Sequence, residues 1–552
     1  MNITIDILVI GAGGAGCRAA IAAADCGTSV LLASKKPLGE SGATSYPVAE
    51  MAGYNAGDVS IPMDVQMHYN DIIEAGQGMA DEELAAIVAS RAPETIRQLE
   101  EWGVKFEHEN EGYYVFRSCF SHYPRTHVIK GHGEPVVRAM KDQIHARPNI
   151  TVMDDVTIMG LYVRDGCCVG ACGLAGRKMV YINSKAVILA SGGCGQAFER
   201  NMNPSDVTGG GYSMAYHAGA DLVNMEFMQI GMGFSWPVVN IFNGYIWETK
   251  PRLSDREGKD IFEEVLPQNL TPDQVMHEHR KHFPFSSSDD SKYLEVAVQT
   301  AVKNGRGTQR GGIRADFSHI TDEYVNSLKD DCGIHHMWPI ARDYLRSRGV
   351  DLLLDQVEVA CYAHAINGGV RINTKGMSSI QGLYAAGECA GGPHGADRLG
   401  GNMMVTCQVF GEIAGTSAAE YALRTQHAEH VEHLRDPHME EMKALLHRKL
   451  DCMGMLNRLR KAAQDNLLVA RTEDGLTQVL NVAGELEEEM VHADTCQEIY
   501  PENIDLYHML TTVRIMARCA LERRESRGSH HRADHPFKDE RFNKPVTIRK
   551  NG

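Results

Sequence analysis

The stretch DILVIGAGGAGCRAAIAAADCGTSVLLASKK, residues 6–36, leaves this chain few ways to fold. Ile7 to Ile10 form the short apolar run that a buried parallel strand needs. Gly11, Gly13 and Gly16 follow as GxGxxG, with Gly14 and Ala15 inside the turn. Ala19, Ala20, Ala22, Ala23 and Ala24 then make a small-residue helix able to lie close to a sheet, and Ser29 to Ala33 reads as the next strand. In that setting the glycines specify dinucleotide binding. Two permit the tight turn and the approach of a pyrophosphate, the third lets the helix pack on the strand, and the helix N-terminus faces the phosphates. The acid that ends the second strand in NAD enzymes is missing; Ser34 and Lys35 stand there, which argues against a plain NAD site.

Two further strands run into glycine turns. KAVILASGGCGQAF (185–198) carries Ala190, Ser191, Gly192 and Gly193, and GLYAAGECAGGPHGADRLGGN (382–402) carries Gly387, Glu388, Arg398, Gly401 and Asn402. Three such exits, far apart in the chain, converge on one large cofactor. The 226–350 stretch is rich in Trp, Pro, His and charge and reads as an inserted domain between 1–225 and 351–424. From 425 to 552 the pattern turns helical: HMEEMKALLHRKLDCMGM and LTQVLNVAGELEEEMVHA place apolar residues three and four apart.

Bulk properties narrow the function classes. A net charge of −17 over 552 residues argues against nucleic acid as partner. Fourteen cysteines with no CxxC pair suit a reduced, cytoplasmic protein and give no iron–sulfur, zinc or other metal site. The N-terminus enters a strand without room for a leader, and no apolar run reaches the roughly 20 residues of a membrane span. A soluble, cytoplasmic protein is expected.

VIGAGGAG, VILASGGCG, MAYHAGADLVNMEFMQ, NGRGTQRGGI, HAINGGVRIN, LYAAGECAGG, HGADRLGGN and ESRGSHHRADHP, in that order, resemble the flavoprotein subunit family of succinate dehydrogenase and fumarate reductase. L-aspartate oxidase and the adenylylsulfate reductase flavoprotein are relatives. The resemblance runs from Gly11 to near the C-terminus. It implies an α/β fold: a Rossmann-like FAD-binding domain, an inserted α+β capping domain and a C-terminal helical domain. It also implies FAD held by the three glycine turns, by Ser34 and Lys35, and by Ser41, Gly42, Ala43 and Thr44. Arg398 matches the arginine that binds a substrate carboxylate against the flavin, a task suited to a planar, permanently charged guanidinium. His364, in HAINGG, matches a second substrate-binding residue, its alternative being a satisfied core histidine. Glu388 matches a flavin-contacting acid.

The sequence departs from the family at four places. Ala43 stands where the histidine that carries covalent flavin falls, so FAD is expected to be noncovalent, with a lower potential that disfavours succinate oxidation. QFHPT becomes QIGMG (229–233), which replaces a substrate-binding histidine at Gly231. Ser291, with Lys292 and Tyr293 alongside, occupies the position of the proton-shuttling arginine. TGDG becomes TGGG, leaving Gly210 for an acid. The second proton of a hydride transfer then needs another carrier. Lys292, Tyr293, His364, His335 and His336 are the candidates, against an exposed helix for Lys292 and a surface loop for the histidine pair. Arg125 reads as structural, and Trp236 and Trp247 line either a substrate pocket or the inserted domain's own core.

The implied function is an FAD-dependent oxidoreductase exchanging hydride between flavin N5 and a small carboxylate-bearing substrate other than succinate or fumarate. The alternatives are a flavin subunit that trades electrons with a sulfur centre through an iron–sulfur partner, an oxidase like L-aspartate oxidase, and a flavin-binding scaffold without its own chemistry. This reading allows two kinds of protein partner: further copies in a homo-oligomer, and an electron-transfer subunit.

Overall fold

The computed structural model describes residues 1–46, 52–58, 61–110, 112–241, 244–329, 333–428 and 430–550. Residues 47–51, part of the stretch around Ala43, lie outside the described residues.

The first strand, Asn2–Ile10, pairs in parallel with Val30–Ala33 on one side and Lys178–Leu189 on the other. Ile150–Met153 extends the sheet beyond Val30–Ala33, and Leu383–Ala385 joins Lys178–Leu189, both in parallel. Cys167–Ala175 and Val156–Arg164 close the seven-stranded sheet as antiparallel strands. Ile7, Leu8 and Val9 have no exposed surface, as an apolar run inside a parallel sheet should. The helix Gly14–Asp25 is buried along almost its whole length, and its alanines accept a second helix, Asn402–Ala422. The backbones nearly touch: a Cβ at Gly411 would lie 2.9 Å from the Ala15 carbonyl oxygen, and one at Gly415 would collide with Ala19. All three strand exits read from the sequence therefore end at one edge of this sheet, which is the usual ligand edge of an open α/β sheet.

The inserted region forms a second, antiparallel sheet ordered Asn240–Ile241, Met228–Trp236, Val357–Ile366, Ile313–Asp316 and Arg252–Ser254. It draws on residues 357–366, beyond the 226–350 segment, because Ala363 and Ile366, on either side of His364, pair with Ile230 and Met228 in the strand after Glu226. Helices Pro272–His279, Tyr293–Lys303, Asp322–Ser327 and Ile334–Ser347 complete an α+β cap. His335 and His336 sit on the last of these and not in a surface loop, because Gly333, at φ +77°, starts the helix just before them.

Helices Pro437–Leu445, Cys452–Asn466, Glu473–His492 and Glu502–Glu522 make up the C-terminal region. The periodic run across 438–455 is two helices, because the Asp451 carboxylate caps a new start by accepting from Gly454 N–H at 3.0 Å. No described helix is long and apolar enough to cross a membrane, and no group of described His, Cys, Asp and Glu residues could hold a metal.

Candidate flavin and substrate site

A cavity of about 330 Å³ runs from the first glycine turn to the cap. Its lining includes Gly11, Gly13, Gly14, Ala15, Lys35, Ser41, Gly42, Ala43, Thr44, Ala190, Ser191 and Gly192 at one side. Glu388, Arg398, Gly401 and His364 line it further along. A lining drawn from all three glycine turns suits an extended dinucleotide. A Cβ at Gly11 would run into the Ala190 carbonyl, and one at Gly16 would run into the Gly11 carbonyl, so the turn is closed on both sides. A Cβ at Gly13 would meet nothing within 4 Å, the open approach that a pyrophosphate needs. The residues present fit FAD.

The remaining expected cofactor residues stand one layer back. Ser34 donates to Lys36 O at 2.7 Å, and Gly16 seats the helix on the strand. Gly193 makes room for the Glu388 carboxylate, which a Cβ there would overlap. Gly387 lets the turn lie against Ala15 and Cys407. Asn402 begins the helix Asn402–Ala422 after Gly401, whose φ of +87° a side chain would resist. The Asn402 Oδ1 accepts from Asn55 Nδ2 at 2.8 Å and lies 3.1 Å from His68 Nε2. Lys35 donates to Thr208 Oγ1 at 2.7 Å and pairs with Asp505.

At the cap end the central group is Arg398, only 5% exposed. Its Nε donates to Gln229 Oε1 at 2.9 Å and its Nη1 to Leu399 O at 2.9 Å. Gln229 returns a bond from Nε2 to Arg398 O at 3.1 Å. Nη2 has no hydrogen-bond partner among the described residues. A guanidinium locked on one edge and free on the other is a preorganised anion donor. Gln229 was missed in the sequence, although it opens the very QIGMG motif whose third position drew attention.

His364 is half-buried, and its backbone carbonyl accepts from Asn203 Nδ2 at 2.9 Å. Its Nδ1 has no partner among the described residues. Burial, with Arg398 adding, holds its pKa down at about 3, so the ring is neutral near pH 7. The Glu388 carboxyl is pushed up to about 7 by burial, although Ile366 N–H donates to it at 3.0 Å.

Lys292 and Tyr293 do not line this cavity. The Asp289 carboxylate accepts from Ser291 N–H at 2.9 Å and caps the short turn Asp290–Lys292. That turn buries Ser291 and sends Lys292 into a second cavity, with its Nζ 3.5 Å from Ser287 O and over the Tyr293 ring. Asp397 faces the second cavity too, while its neighbour Arg398 faces the first. His335 lies near the carbonyls of Val325 and Leu328, and His336 packs on Tyr114, both away from the cofactor cavity. Arg125 is buried 3.2 Å from Asp71, a structural pair. Trp247 is buried beside His279, and Trp236 lies under Arg310; neither lines the cavity.

These burials have a consequence in solution. His364 and His394 are held at about 3, and His68, His508 and His531 at about 4, burial being the first cause in each. Below the usual imidazole range the unfolded chain takes up protons that the folded chain refuses, so each ring contributes stability that is present above pH ~6.5 and lost toward pH ~4. Glu388 and Asp397, both raised to about 7, act in the opposite sense, since the folded state keeps protons there that the unfolded state releases. Five imidazoles outweigh two carboxyls. The thermal unfolding midpoint is expected to fall from pH 7 to pH 5; a midpoint that rises on acidification would contradict this.

Comparison with known proteins agrees with the geometry. Residues 6–404 match the family described as FAD binding domain, and residues 456–551 match the fumarate reductase flavoprotein C-terminal family. The chain is 30% identical to a subunit of the fumarate reductase (CoM/CoB) of Methanothermobacter marburgensis, over 96% of this chain and 94% of that protein. It is 27% identical to the L-aspartate oxidase of Streptomyces coelicolor, over 100% of this chain and 92% of that protein. Among solved structures it superimposes on a chain of the apo Sdh1 complex of Mycobacterium smegmatis with a TM-score of 0.83 at 25% identity, covering 100% of this chain and 92% of that one. A glycine cradle shaped for a dinucleotide, a capping sheet over it and these matches across nearly the whole length lead to one conclusion: the chain belongs to the fumarate reductase flavoprotein family of FAD-dependent oxidoreductases.

Proposed function

We propose that this protein exchanges hydride equivalents between its flavin and a small carboxylate-bearing substrate other than succinate or fumarate, with Arg398 as the carboxylate clamp. The observation that carries the reading is the buried Arg398 guanidinium, fixed by Gln229 and Leu399 O and unpartnered at Nη2 inside the cavity. Bound FAD supplies the two-electron chemistry at N5. The protein's own part is to orient the carboxylate through Arg398, to offer a neutral imidazole from His364, and to keep water out with a largely apolar lining. A free guanidinium edge and an unpartnered His364 Nδ1 argue against an inert scaffold, which would have no use for either.

The lining includes Ala43 and holds no histidine between residues 39 and 46, which supports a noncovalent cofactor. The Methanothermobacter relative is named as one subunit of its enzyme, which supports an electron-transfer partner, an iron–sulfur protein being the candidate. Its name also favours a second reading, with fumarate itself as the oxidant.

One experiment separates these. Acid precipitation of the purified protein is expected to release FAD into the supernatant. Anaerobically reduced enzyme mixed with fumarate is expected to stay reduced, while another carboxylate from a screen reoxidises it. Flavin that stays with the pellet would overturn the noncovalent assignment. Rapid reoxidation by fumarate would select the second reading, and turnover with dioxygen alone would favour an oxidase.

A further inference from the structure

The departure at Gly231 is more than the loss of a side chain. A Cβ at this position would overlap the Phe283 ring and come within 3.0 Å of Ile241 Cδ1. Phe283 therefore occupies the space beside the strand that a residue 231 side chain would enter. It is held there from several directions. Phe283 N–H donates to Cys119 Sγ at 2.9 Å, Pro284 bridges to Gly231, and Phe285 N–H donates to Ile230 O at 2.9 Å. The preceding His282 stacks on Phe120 with ring centroids 4.9 Å apart and lies 2.8 Å from Pro284 O through Nδ1.

Cys119, Met202, Ile241 and Phe283 belong to a small hydrophobic cluster distinct from the main core, and all four line the cofactor cavity. The edge of Phe283 meets His364 at a centroid distance of 6.0 Å, so this wall adjoins the clamp end. Lys35 and Arg398 are the only lysine or arginine among the described lining residues, and Lys35 is tied to Thr208 and Asp505. His364 is neutral. A diacid would thus bring two negative charges to one free guanidinium and press its second carboxylate on an apolar wall, where an unpaired charge is strongly disfavoured. An apolar group there would instead shed hydration from both surfaces.

We infer that the ligand of this cavity carries a single carboxylate, gripped by Arg398, and an apolar substituent seated against Phe283, Ile241 and Met202. This rests on the reading of Arg398 as the clamp. It makes Phe283 and Gly231 the pair that sets specificity.

The test uses the FAD-loaded protein with oxidised flavin, titrated with crotonate, trans-2-hexenoate and fumarate. Binding is read from the visible flavin spectrum and, independently, from the shift in thermal midpoint. Crotonate and fumarate share a four-carbon skeleton and differ in a methyl against a second carboxylate. Crotonate is expected to bind at least about tenfold more tightly than fumarate, and hexenoate more tightly than crotonate. Phe283→Leu is expected to keep that order; Phe283→His, which sets a hydrogen-bonding ring in the wall, is expected to narrow the gap in favour of fumarate. Fumarate binding as tightly as crotonate, in an Arg398-dependent way, would overturn the inference and leave the clamp standing. Enoate binding undiminished in Arg398→Ala would overturn both. No response to either enoate at millimolar concentration, in spectrum and in midpoint, would also overturn the inference.

Discussion

Arg398→Ala is expected to weaken carboxylate binding by about 10²- to 10³-fold, roughly 3–4 kcal/mol, while FAD stays bound. The size follows from what the substitution leaves behind. A ligand carboxylate in this cavity would lose its only free cationic partner yet remain desolvated, and an uncompensated buried charge costs far more than a lost surface contact. Gln229, fully buried, would also lose the donor to its Oε1, so a smaller loss of thermal stability should accompany the change. Arg398→Lys keeps the charge but not the forked geometry and is expected to recover only part of the affinity. The discriminating control is the FAD-to-protein ratio. A variant that binds carboxylates as well as the parent at an unchanged ratio would remove Arg398 from the substrate site. A variant that loses FAD would show that the guanidinium serves the cofactor cradle instead.

How much of this site could be read in the sequence depended on how far apart its parts lie. The Gly11–Gly16 turn is local: strand, glycines and helix adjoin, and each residue's job follows from the next few. Arg398 stood out because glycines crowd it, and the turn they build does bring it to the cavity. Gln229 could not be found that way, since it meets Arg398 across 169 residues and only the folded chain brings the two together. Phe283 was invisible for the same reason; its importance arises from Gly231, which a linear reading registers only as an absence. Counting along the chain to the place of the missing arginine reached Ser291 and Lys292, but position in a motif fixes the backbone, not the direction of a side chain. There the Asp289 cap decides, and it turns Lys292 toward the second cavity.

Glu226→Ala should destabilise the protein by about 3–5 kcal/mol, because it strips one anion from a fully buried charge cluster. The Arg523 Nε donates to Glu226 Oε1 at 2.6 Å, and Arg523 and Arg527 share Glu525 at 2.8 and 2.7 Å. These four side chains have no exposed surface. With Glu226 gone, two arginines remain in the interior against a single carboxylate. The cluster also underpins the clamp. Glu226 stands three residues before Gln229 on the way into the cap strand, and Ser529 Oγ donates to Ala396 O at 3.1 Å, behind the turn that carries Arg398. The C-terminal segment 523–532 therefore braces, from outside the cavity, the chain leading into Gln229 and the turn that carries Arg398. Denaturant unfolding measures the loss, and a cycle decides its origin. If the cost comes from stranding a charge, the double variant Glu226→Leu with Arg523→Met should be less destabilised than the sum of the two single variants. Simple additivity would mean that packing around the two side chains, and not their pairing, holds this part of the fold.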